Sequence, residues 1–150
     1  MLGDPDRHFF EDGSSEELIF VAEEASRYDV ARRFEELEAW KRARALNIRV
    51  YEATRLPEFS KDFGLKGQSQ RASVSVMANI AEGFERRGSG EFGHFLSMAK
   101  GSCGELRSHV YAANDVGYLS DDQFTELLSS CEQVSRLIHY LHAAVQRSRK

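Results

Sequence analysis

Residues 120–146 read SDDQFTELLSSCEQVSRLIHYLHAAVQ, and this stretch decides the fold class. Leu127, Leu128, Cys131, Val134, Ile138, Leu141 and Val145 recur at steps of three and four, which lines one side of an α-helix. Ser120-x-x-Gln123 has the form of a capping box, with Leu119 and Phe124 at the two positions of a hydrophobic staple. A helix therefore starts near 120 and runs to about 146. Working outward, Gly117 stops an earlier helix over about 90–115, which carries Phe92, Phe95, Leu96, Ala99, Cys103, Leu106 and Val110 on one side. Gly88-Ser89-Gly90 separates that helix from one over about 66–86, with Ala72, Val76, Ile80 and Phe84 on its apolar side. Lys66-Gly67 gives the start of this helix no side-chain cap. A loop of about ten residues, holding Phe59 and Phe63, precedes it. The first long helix runs from about Phe34 to Leu56 and ends at Pro57, because the residue before a proline is pushed out of helical geometry. No strict period-two alternation with hairpin residues occurs. Four amphipathic helices with short links predict an all-α fold, an antiparallel up-and-down four-helix bundle.

The composition agrees. With 150 residues, 41% hydrophobic and 29% charged, the chain suits one domain with a real core. No apolar run approaches the roughly 18 residues of a membrane span. The start Met1-Leu2-Gly3-Asp4-Pro5-Asp6 lacks the basic flank and apolar centre of a signal peptide. The expectation is a soluble cytoplasmic protein in which Cys103 and Cys131 are free thiols packed as small core residues. Net charge is −4, and it is unevenly placed. Of 24 acidic and 20 basic residues, nine acidic and four basic fall in residues 1–33, leaving 15 and 16 in residues 34–150. The chain divides into an acidic extension, 1–33, and a nearly neutral bundle, 34–150. The extension reads as a solvating segment, with a short helix over about 15–27 opened by a second capping box, Ser14-x-x-Glu17.

Several motifs resemble chemistry and lose to plainer readings. Gly88-Ser89-Gly90-Glu91-Phe92-Gly93 fits G-x-G-x-x-G, but a dinucleotide site needs a strand before that loop; here a helix precedes it. Ser97-x-x-Lys100 lacks the companion motifs of a serine acyl-enzyme. His139-x-x-His142 could share a metal, yet no Glu-x-x-His pair supplies further ligands. No nucleophile–base pair and no cofactor or metal set can be assembled, so the chain reads as a non-enzyme.

Two polar lines remain. Gln68, Arg71, Ser75, Asn79, Glu82 and Arg86 recur at helical steps in one helix, and Ser102, Glu105 and His109 in the next. Small neutral groups such as Ser75, Asn79 and Ser102 point to partly buried hydrogen bonding between helices or subunits, with a ligand surface as the alternative. Arg71, Arg86 and Arg87, with Arg147, Arg149 and Lys150 at the end, are candidate phosphate contacts for RNA or DNA.

Ala78-Asn79-Ile80-Ala81-Glu82-Gly83, Glu91-Phe92-x-x-Phe95-Leu96-x-x-Ala99-x-Gly101-Ser102-x-x-Glu105-Leu106, Gly117-Tyr118-Leu119 and the opening Phe34-Glu35-x-Leu37-x-x-Trp40 together carry a resemblance. The chain resembles, over about residues 34–146, the four-helix-bundle proteins encoded by intervening sequences in bacterial 23S ribosomal RNA genes. The resemblance implies a left-handed antiparallel bundle and assembly as a ring-like homopentamer, and brings no established biochemical role. A wider relative, the accessory protein of diversity-generating retroelements, binds a reverse transcriptase and nucleic acid. Residues 1–33 have no counterpart in a typical member.

Self-association also follows from the first long helix. At about 100° per residue its apolar residues span an arc of roughly 200°, against the roughly 100° that covers one core. Leu46 and Ile48 lie in opposite halves of that arc, so they are the candidate oligomer contacts. The alternative is that the 15–27 helix folds back over this face through Leu18, Ile19 and Val21. The function expected is a homo-oligomeric scaffold associated with nucleic acid or a nucleic-acid enzyme, or else a protein–protein adaptor.

Overall fold

The structure, a computed structural model, describes residues 15–86 and 90–148. Six α-helices carry the described residues: α1 Ser15–Val30, α2 Glu38–Thr54, α3 Pro57–Lys61, α4 Phe63–Glu85, α5 Glu91–Asp115 and α6 Asp121–Ser148. A single 3-10 turn spans Phe34–Glu36, and there is no strand among the described residues. The protein is an all-α bundle.

Helix α4 packs on α5, α5 on α6, and α2 on both α4 and α6. Direction follows from the cross-helix pairs. Ser75 meets Ser102 while a Cβ on Gly83 would strike Phe92 and Phe95; Cys103 reaches Cys131 while Gly93 faces His142. Between α2 and α4, Ser73 bonds Asn47 and Gln70 bonds Thr54. In each pair one number rises as the other falls, so these neighbours run antiparallel. Val76, Ile80, Leu96, Leu106, Val134, Ile138 and Leu141 fill the space between them, each at 1% exposure or less. Burying one such side chain contributes about 1.5–3 kcal/mol.

The helix ends show local chemistry. At α6, Gln123 Oε1 accepts from the Ser120 amide at 2.8 Å and Ser120 Oγ from the Gln123 amide at 3.2 Å, so the capping box forms. Gly117 and Gly90 take positive φ, 82° and 85°, where a Cβ would be strained. Ser14, Gly88 and Ser89 lie outside the described residues.

Several expectations need correction. The first long helix does not begin at Phe34. Leu37 is extended (φ −72°, ψ 128°), and the Glu36 carboxylate holds the Arg32 and Arg33 amides in the preceding turn. Its far end stops at Thr54, with Leu56 extended before Pro57. The expected ten-residue loop is largely helical, since Pro57 opens α3, a position where its missing N–H costs nothing. The next helix is not uncapped near Lys66. It starts at Phe63, where Asp62 Oδ1 accepts from the Leu65 amide at 3.0 Å.

A further correction concerns Leu46. It is 1% exposed inside the protomer, so it cannot be an oligomer contact; the α2–α6 and α2–α4 packing consumes its half of the arc. Helix α1 does fold back, but onto α6 rather than over α2. Phe20 stacks on Tyr140 with centroids 5.5 Å apart, and Tyr28 meets Phe92 at 5.6 Å. Leu18 and Ile19, expected to be the covering residues, stay 60% and 56% exposed.

Candidate functional site

The polar lines of α4 and α5 meet in one seam. Ser75 Oγ and Ser102 Oγ are 2.9 Å apart, and Asn79 Nδ2 donates to the Ser75 carbonyl at 2.9 Å and to Ser75 Oγ at 3.0 Å. All three residues are half-buried. Further along, Arg86 pairs with Glu82 at 3.2 Å and with Glu91 at 2.9 Å, and its guanidinium lies 5.3 Å from the centre of the Phe95 ring. Phe95, read from sequence as core, is instead the half-buried floor beneath that arginine. At the other end of the seam His109 Nε2 lies 3.3 Å from Glu105 Oε1. The seam is possible because Gly83 lets the helices approach: a Cβ there would lie 2.6 Å from Phe95 Cβ and 2.7 Å from Phe92 Cδ2. Each small polar group finds its partner within the seam, which registers α4 against α5.

The basic candidates do not converge. Arg71 is exposed on α4, fifteen residues before Arg86 and therefore about 22 Å from it along the axis. Arg147 is exposed in the last turn of α6. That turn lies at the same end of the bundle as Arg86, since Gly93 faces His142 and Gln146. Arg86 is already held by two carboxylates. Arg87, Arg149 and Lys150 lie outside the described residues.

The cysteines are core residues. Cys103 donates from Sγ to the Cys131 carbonyl at 3.2 Å; burial pushes the Cys103 thiol up to about 12 and the Cys131 thiol up as well. Ser97 donates to the Gly93 carbonyl at 3.2 Å. Burial, with His139 and Lys100 nearby, holds the His142 imidazole below its ordinary value. No group of three or more His, Cys, Asp or Glu among the described residues could hold a metal ion. No described helix is long and apolar enough to cross a membrane.

A second feature was legible only in part. Between α2 and α6 lies a cleft of about 630 Å³, walled by Ala45, Ile48, Ala53, Leu56, Gln123 and Leu127 and spanned at its edge by an Arg49–Glu126 pair at 3.5 Å. Ile48 is 52% exposed there. Periodicity put Ile48 and Leu46 in opposite halves of the α2 arc; which half faces outward, and the cleft beside it, only packing decides.

The family model for 23S rRNA-intervening sequence proteins matches residues 35–140. The chain belongs to that family. The match covers α2 to α6 up to Tyr140, including both walls of the cleft and the whole α4–α5 seam, and it leaves out α1 and the residues before it. No curated protein matches the sequence. Two structural contacts escaped the sequence reading altogether. Tyr118 donates to Asp62 Oδ2 at 2.9 Å and stacks on Phe59, tying the α5–α6 turn to the start of α4. Glu24, on a helix that looked solvated, is 5% exposed; burial raises its carboxyl above the ordinary range, against the opposing effect of Arg27 at 2.9 Å.

Proposed function

We propose that this family member is a non-enzymatic, self-assembling scaffold whose contact surface is the outer face of α2. The observation that carries this reading is Ile48, half exposed beside a cleft that α1 leaves open. A branched apolar side chain in that position gains by meeting another chain, and cyclic closure hides the same face on every protomer. Resemblance favours a ring of five. Light scattering after size exclusion is expected to give a mass several times 17.0 kDa, most simply fivefold. Ile48→Glu should split the assembly or drive it to aggregate. A monomer persisting at high micromolar concentration would sink the proposal.

A second reading, association with RNA, DNA or a nucleic-acid enzyme such as a reverse transcriptase, draws support from Arg71 and Arg147, which stand exposed. Their separation, and the engagement of Arg86 with Glu82 and Glu91, favour the protein-only reading. Fluorescence anisotropy with structured RNA and with duplex DNA decides between them. Phosphate contacts would make affinity fall steeply between low and moderate salt, and no binding at tens of micromolar protein in low salt removes this second reading.

A further inference from the structure

The charge on the outer face of α2 restricts what can cover Ile48. At about 100° per residue, Lys41, Arg44, Ile48 and Arg55 fall within about 60° of one another, and all four are exposed. Arg42, beside this strip, is matched with Glu38, and Arg49 with Glu126 across the cleft. Glu52 borders the strip as well. Lys41, Arg44 and Arg55 against Glu52 leave the strip net positive around an apolar centre. Two copies meeting strip to strip would set like charges against each other, which strongly disfavours pairing. That favours a heterologous contact, in which the strip meets a different surface of the neighbour.

The matching surface needs an exposed apolar centre and a negative rim, and the corner between α5 and α6 has both. Val116 is 60% and Tyr111 44% exposed there. Tyr111 meets the Phe124 ring edge-on at 5.4 Å, which sets the last turn of α5 beside the first turn of α6. Asp115, Asp121 and Asp122 stand exposed around this apolar pair. No lysine, arginine or histidine occurs anywhere in residues 110–135, so nothing on these two helix ends offsets them. Tyr118 ties the corner to Asp62, and that neighbouring stretch carries Glu58 and Asp62 against Lys61 and Lys66, which cancel. The corner is net negative.

One chain cannot bring these two surfaces together. Helix α2 packs on α4 and α6, which leaves α5 diagonally across the bundle. The strip lies on the outer side of α2, while Tyr111 and Phe124 lie where α5 meets α6. The two surfaces therefore point in different directions, and each needs a second copy to cover it.

We infer that the Tyr111–Val116 corner of one copy seats on the Ile48 strip of the next, with its carboxylates among Lys41, Arg44 and Arg55. This rests on the assembly face proposed above and names the surface that meets it. Apolar contact at the centre supplies attraction, and the opposed charges at the rim fix which surface pairs with which. Each copy offers both surfaces, so repetition of the contact builds a ring where the rotation closes and a filament where it does not.

Charge reversal in the full chain tests it, read by light scattering over a dilution series in low salt, where screening is weakest. The strip variant is Lys41→Glu with Arg55→Glu, the corner variant Asp115→Lys with Asp121→Lys, and a third variant carries all four changes. Each pair alone sets like charges across the contact and should weaken assembly at least about a hundredfold. The corner variant replaces two acidic by two basic residues and takes the net charge of −4 to about zero, which by itself favours association. A loss in that variant therefore reads the contact and not the net charge. The fourfold variant restores opposite signs and should assemble within about tenfold of the parent. A corner variant that assembles as the parent does, or a fourfold variant no stronger than either pair, overturns the inference while leaving the Ile48 face standing. A parent that stays monomeric at high micromolar concentration overturns both. If lysine at position 121 unfolds the start of α6, seen as lost helix by circular dichroism, Asp115→Asn with Asp121→Asn reads the same contact through about a tenfold loss, and no loss overturns it.

Discussion

Gly83→Ala tests how the α4–α5 seam is built. In a helix interior alanine is favoured over glycine by about 1 kcal/mol, so propensity alone predicts a gain. Sterics predict the opposite. The new Cβ would lie 2.6 Å from Phe95 Cβ and 2.7 Å from Phe92 Cδ2, roughly 1 Å inside the 3.5–4.0 Å at which carbon atoms attract. Phe95 Cβ sits next to the backbone of α5, so a rotamer change cannot relieve the contact and the helices must separate. Overpacking of this kind costs about 1–3 kcal/mol, and two contacts this short argue for the upper end. The net effect is a loss of about 2 kcal/mol, lowering Tm by about 4–8 °C in a chain of this length. Gly104→Ala is the control, since a Cβ there meets nothing within 4 Å. It should gain up to about 1 kcal/mol and raise Tm by about 2–4 °C. Thermal denaturation by circular dichroism reads both. Equal shifts in the two variants would refute the claim that Gly83 sets the helix spacing.

Asn79→Leu removes the amide that bonds Ser75 and should cost about 1–2 kcal/mol; an unchanged melting midpoint would mean that the seam is a ligand surface rather than a structural one. Burial raises the Glu24 carboxyl, so its contribution is fully present below the ordinary carboxylate range and lost as pH rises through the raised value. The Tm difference between pH 5 and pH 7.5 should therefore shrink in Glu24→Gln, and an identical difference in both proteins counts against a buried Glu24. Asp62 is the reverse case: the Leu65 amide, and then the Tyr118 hydroxyl, hold its carboxyl below the ordinary range. Its contribution should be present above that range and vanish as pH falls through the lowered value, so Asp62→Ala should flatten the acid arm of the stability profile.

The all-α class, and the positions of the long helices to within a few residues, were legible because apolar spacing is a local property of the chain. So were Cys103 and Cys131 as core residues and the polar character of the Ser75–Asn79–Ser102 line. The start of α4 was missed because Asp62 looks like an ordinary loop residue until its carboxylate is seen on the Leu65 amide. Arg86 shows the same limit: sequence gives a cation, and only packing reveals Glu82, Glu91 and Phe95 around it.

The sequence by itself determined which residues have an apolar side, since periodicity turns directly into a helix face. It also marked residues 1–33 as acidic, but not that α1 within them packs on α6. It could not say what meets each face. Leu46 and Ile48 sit two residues apart on one helix with similar side chains, yet one is sealed between α2 and its neighbours and the other is half in water. Leu18 and Ile19 look like the inner face of α1, but the helix buries Glu24 instead and lays Phe20, still 47% exposed, against Tyr140. Those choices depend on contacts between residues far apart in the chain, such as Phe20 with Tyr140 or Ser75 with Ser102, and such contacts exist only once the helices have packed.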